Sequence, residues 1–70
     1  MPLAMVSIGE KRKIKSLTGT EDIKKHLIDL GFVSGQDVLV LGDSAAGMIL
    51  LVKGTKLALN RGLAQKILVA

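Results

Sequence analysis

Seventy residues leave room for one thin aliphatic core: 49% of them are apolar, Phe32 is the only aromatic, and there is no cysteine for a disulfide or a thiolate metal site. A chain this short buries only about 60% of its unfolded surface, and with one histidine, His26, it has no metal staple to add. Ten basic against six acidic residues leave a net charge of +4, which favours an acidic partner, anionic lipid or nucleic acid without choosing among them.

In chain order, the apolar stretch Leu3 to Ile8 is short and follows no basic segment, so it does not read as a secretory leader, and a cytoplasmic location is the expectation. Gly9 and Glu10 read as a turn. Lys11 to Lys15 predicts a strand with one buried position, Ile14. Thr20 followed by Glu21 and Asp22 places an N-cap ahead of acids in a first helical turn, with Thr18 and Glu21 as an alternative capping box. A helix over about 20–30 follows, and Ile23, Leu27 and Leu30 share the face expected to dock on the barrel. Gly31 stands where a left-handed residue closes a helix, and Phe32 is placed to fold back on Leu27 as in a Schellman motif.

From Gly35 onward, β-branched and leucine-rich runs alternate with glycines at strand-length intervals. The spacing predicts a strand at Asp37 to Leu41, a loop from Gly42 to Gly47, and a strand at Met48 to Lys53. A type II′ turn is expected with Gly54 and Thr55 at its centre, then a strand at Lys56 to Asn60. A helical turn at Arg61 to Ala64 and a closing strand at Lys66 to Val69 complete one mainly β domain spanning 1–70. The longest apolar run, Met48 to Val52, is five residues, against roughly 20 for a membrane-spanning helix.

A two-residue turn sets register. With Gly54 and Thr55 central, Lys53 faces Lys56, Val52 faces Leu57, Leu51 faces Ala58, and Leu50 faces Leu59. Leu57 and Leu59 alternate with Lys56, Ala58 and Asn60, so the leucine side is inward and Met48, Leu50 and Val52 share it. Ile49 and Leu51 are then left pointing outward. The preceding strand repeats the excess, with Val38 and Val40 on one side and Leu39 and Leu41 on the other. The expected outer apolar set is Leu39, Leu41, Ile49, Leu51 and Ala58, and contiguous exposed apolar surface marks a docking site. The competing expectation is that the segment Leu3 to Ile8, or the helix, covers these residues.

No catalytic constellation emerges. The serines at 7, 16, 34 and 44 lie beside glycines or caps, the eight glycines are spaced as turn residues, and no Walker-type phosphate loop is present. Asp22, His26 and Asp29 fall on one helical stripe and offer one nitrogen and two oxygens to a divalent cation. A solvent-facing polar stripe with an ordinary i, i+4 pair explains the same spacing, and no metal site is assigned. Lys11, Arg12, Lys13 and Lys15 form a basic cluster able to meet phosphates, making a small nucleic-acid-binding barrel the alternative function. Single-strand binders use aromatic stacking, whereas the one ring here is expected at a helix end, so an edge strand kept soluble by lysines is preferred.

The run Leu30-Gly31-Phe32-Val33-Ser34-Gly35-Gln36-Asp37-Val38 resembles the most distinctive signature of the FeoA family. Gly54-Thr55-Lys56-Leu57-Ala58-Leu59, then Arg61, Ala64, Ile67 and Val69, is similar to its closing pattern, and Leu3, Gly9 and Gly19 fit its opening. Ser34 stands where the family often has proline, and Gly47-Met48 lacks a proline common in that loop. The resemblance implies an SH3-like β-barrel of about five strands with an inserted helix, with no catalytic motif and no cofactor. It implies a cytoplasmic accessory protein of bacterial ferrous-iron uptake acting beside FeoB, the membrane permease with a GTPase domain. A homodimer through the outer apolar set is a further possibility. A similar barrel closes iron-dependent repressors of the diphtheria-toxin-repressor type, as an appended interaction domain. This chain lacks the helix-turn-helix of such a repressor, so that reading would have the barrel acting alone.

Overall fold

Alternation of aliphatic and polar residues builds a curled sheet around the expected core. In the computed structural model, which describes residues 1–70, a 3₁₀ turn (Leu3–Met5) precedes β1 (Lys11–Leu17), α1 (Glu21–Asp29), β2 (Asp37–Ser44) and β3 (Gly47–Val52). Then come β4 (Thr55–Leu59), α2 (Arg61–Ala64) and β5 (Ile67–Val69). All pairings are antiparallel, in the order β4-β3-β2-β1-β5. Ile14, Val38, Val40, Met48, Leu50, Val52, Ile67 and Val69 point to the inner face, each at most 1% exposed. Leu3, Val6, Leu27, Phe32, Leu59 and Ala64 close the same core.

Helix α1 begins as its sequence expects: the Thr20 hydroxyl accepts the Ile23 amide at 3.2 Å, satisfying one of the donors a helix start leaves unpaired. Thr18, the alternative cap, instead donates its hydroxyl to the Lys66 carbonyl at 3.1 Å, tying β1 to the approach of β5. At the other end the Phe32 amide donates to the Leu27 carbonyl and the Gly31 amide to that of Ile28, at 3.0 and 2.9 Å. With Gly31 at φ 104°, this is the complete Schellman pair, and Leu27 and Phe32 are both fully buried. Leu30 departs from expectation. It is 37% exposed, because the helix ends at Asp29 and Phe32 takes the interior place beyond Leu27.

Two expectations in the β half are corrected. The segment read as a loop from Gly42 to Gly47 is mostly strand: β2 continues to Ser44, pairs Gly42, Asp43 and Ser44 with Ile49, Met48 and Gly47, and reverses through Ala45 and Ala46. Gly42 accompanies a bulge rather than a stop, since the register slips between Val40 and Gly42 and leaves Leu41 as the extra residue. The β3–β4 turn is centred on Lys53 and Gly54, not Gly54 and Thr55, and Val52 faces Thr55, Leu51 faces Lys56, Leu50 faces Leu57, Ile49 faces Ala58 and Met48 faces Leu59. Both central residues have positive φ, 52° and 74°, as a type I′ turn requires. Moving the centre by one residue moves every partner by two, and two steps along a strand restore the same face. The inward assignment of Met48, Leu50, Val52, Leu57 and Leu59 therefore survives the wrong turn.

The N-terminal segment goes to the other side of the sheet. Pro2 bridges Leu68, the Val69 amide donates to the Met1 carbonyl at 2.8 Å, and the Leu3–Met5 turn packs on β5 and α2. Glu10 anchors its exit: its carboxylate accepts the Ser7 amide at 3.1 Å and the Arg12 guanidinium at 2.9 Å.

Candidate functional site

The outer face of β2 and β3 carries the apolar surplus. Leu39 faces Leu51 across the two strands, and Ile49 faces Ala58 and Gly42 across its neighbours. Leu41, in the bulge, is 40% exposed; Ala58 is exposed and Leu39, Ile49 and Leu51 are half-buried. None of these residues belongs to the core cluster or to the partly buried hydrophobics packed against it. A residue facing away from a filled interior but screened by its neighbours' side chains is left half-buried, which is the condition of the three central positions.

Between β1, β2 and the β3–β4 turn the same face dips into a depression of about 300 Å³, lined in part by Lys11, Asp37, Leu39, Leu51, Lys53 and Gly54. Lys13 holds Asp37 in an ion pair at 3.0 Å and donates to the Gly35 carbonyl at 3.3 Å. A second depression, about 280 Å³, lies between α1 and β1 and is lined by Ser16, Leu17, Lys24, Ile28, Val33 and Ser34. Sequence reasoning missed one of its apolar lining residues: Ile28 is 50% exposed and lies outside the stripe of Ile23, Leu27 and Leu30. An isoleucine one position off a buried stripe was the available signal.

Other sequence candidates are scattered. Asp22, His26 and Asp29 are all exposed on α1, and no group of three His, Cys, Asp or Glu side chains is placed to hold a metal ion. The basic cluster is divided, with Arg12 paired to Glu10 and Lys13 to Asp37. No polar or charged residue is buried. The carboxyl of Glu10 is held below its ordinary range, first by the hydrogen bond from Arg12 and then by the Ser7 amide. Ser34 stands in place of the expected proline and donates its hydroxyl to the Lys15 carbonyl at 2.9 Å, a tie from loop to strand that proline lacks the group to make. No helix is long and apolar enough to cross a membrane.

Comparison with known proteins places this architecture. A Methanocaldococcus jannaschii protein, provisionally named Fe(2+) transport protein A, is 31% identical over 68 residues, 97% of this chain and 83% of that protein. A crystal structure of an iron uptake regulatory protein, FeoA, superposes with a TM-score of 0.90 at 28% identity, covering 99% of this chain and 92% of that one. The zinc-complexed FeoA of Stenotrophomonas maltophilia, described as a procaryotic SH3 domain protein, superposes at 0.87 over 100% of this chain and 89% of its own, and at 22% identity it speaks to the fold alone. The five-stranded mainly β fold is thus SH3-like. The FeoA domain family itself matches residues 1–70, and this chain belongs to the FeoA family.

Proposed function

We propose that this chain is a cytoplasmic accessory protein of ferrous-iron uptake that docks on a FeoB-type membrane transporter through the outer face of β2 and β3 and modulates it by contact, without catalysis. One observation carries the reading: Leu39, Leu41, Ile49, Leu51 and Ala58 form an apolar set outside the core and its packed periphery, and such surface marks interaction sites. Membership of an iron-transport family supports the choice of partner. The nucleic-acid alternative is weakened by the complete burial of Phe32, which leaves no ring on which bases could stack.

The test is Leu51→Glu, assayed for co-purification with the transporter and for thermal melting. Loss of the transporter with cooperative melting retained is the expected result, since the side chain is half-buried on the outer face rather than in the core and a typical point substitution costs about 1 kcal/mol. Collapse of the fold would assign Leu51 to the interior, and retained co-purification would remove this face from the interaction. Leu50→Glu, which buries a charge in the core, serves as the unfolding control.

A further inference from the structure

Charge around the outer apolar face is unevenly compensated. Lys13 is neutralised by Asp37, but Lys11, Lys53 and Lys56 take part in none of the four ion pairs of the molecule. The strand register sets Lys11 and Lys56 at the two ends of one row, Lys11-Leu39-Leu51-Lys56. Three inter-strand spacings separate them, about 14 Å at the Cα atoms, with two leucines between. Lys53 lines the depression floored by Leu39 and Leu51. The one acid there, Asp37, is already engaged by Lys13 at 3.0 Å.

We infer that this face receives an acidic segment of its protein partner, a short stretch with an aliphatic or aromatic side chain flanked on both sides by Asp or Glu. The inference rests on the docking reading above and specifies the chemistry of what docks. The apolar side chain enters the depression of about 300 Å³, and the flanking carboxylates meet ammonium groups that no residue of this chain neutralises. A second copy is a poor occupant, because a symmetric contact sets the patch against itself and brings the same uncompensated lysines together. A flat anionic leaflet satisfies the lysines but not the concave floor, which needs an inserted side chain to fill it.

The experiment measures binding of the transporter, solubilised in a neutral detergent, to wild type, to Lys11→Gln/Lys53→Gln/Lys56→Gln and to Leu51→Glu, at low and high salt. Circular dichroism confirms folding, and Lys56→Gln alone serves if the triple variant does not fold. The triple variant is expected to bind roughly tenfold more weakly, from three exposed charge contacts, and to lose most of the salt dependence, while Leu51→Glu abolishes binding. Wild-type affinity and salt response in the triple variant, with binding still lost in Leu51→Glu, would overturn the acidic segment and leave docking intact. Undiminished binding by both would overturn docking itself. Charge-dependent binding to phosphatidylglycerol–phosphatidylcholine vesicles, with none toward the detergent-solubilised transporter, would assign the lysines to lipid headgroups and overturn the inference.

Discussion

Gly47 leaves the β2–β3 turn at φ 128°, and its backbone packs so closely against β4 that a Cβ there would overlap the Leu59 carbonyl and lie 2.9 Å from the Asn60 Cα. Backbone atoms cannot step aside as a flexible side chain would, so Gly47→Ala combines a left-handed strain with a steric clash. Its expected cost is about 3 kcal/mol, read as a lowered urea midpoint. Gly42→Ala is the internal comparison: φ is not positive there and nothing lies within 4 Å of the added carbon, so its change should stay within about 0.5 kcal/mol. In the residue pattern alone both glycines read as the two ends of one loop. What separates them is contact with β4, which no local pattern records.

At the level of elements, legibility followed burial. The end of α1 could be read because Leu27, Gly31 and Phe32 each have one role the motif allows, and all three are filled as expected. The far end of β2 could not, because Gly42, Asp43 and Ser44 lie beyond the core and are held by polar contacts, the ladder itself, the Asp43–Arg61 ion pair and the Ser44 hydroxyl on the Gly47 carbonyl; with nothing apolar to bury, no alternation appears. The join between the N-terminal segment and β1 depends on Glu10 in a way that pH can expose. Because its folded-state pKa lies below the unfolded value, its contribution is present above the ordinary carboxylate range, near 4.3, and is lost as pH falls through the lower folded value. Wild type should therefore melt above Glu10→Gln near pH 7, and the difference should close as pH falls below the ordinary carboxylate range, followed by thermal melts across that range.

For the whole molecule, the decisive fact is a surplus of aliphatic residues over what one small core can hold. The inner face takes the valines of β2 and the alternate positions of β3, and the remainder stands outside in a frame of lysines. Repulsion between those lysines opposes self-association through the patch despite its apolar centre. Sedimentation velocity at micromolar concentration should accordingly find a species of the 7.4 kDa chain mass. A dimer that Leu51→Glu dissociates would show that apolar burial outweighs the charge.

Residue order by itself determined the mainly β class, the helix with its cap and its Schellman end, and which side of β3 and β4 faces inward, because these follow from local hydrogen-bond needs and from the period of two along a strand. It could not decide the turn. One glycine fits either centre of the β3–β4 reversal, and both choices preserve the inward set, so alternation is blind to the difference. Only the assembled sheet chose Lys53 and Gly54, and with that choice brought Lys56 opposite Leu51 and completed the row that begins at Lys11. Lysines 45 positions apart in the chain became the two rims of one surface through strand pairing, and pairing partners so distant are set by the fold as a whole.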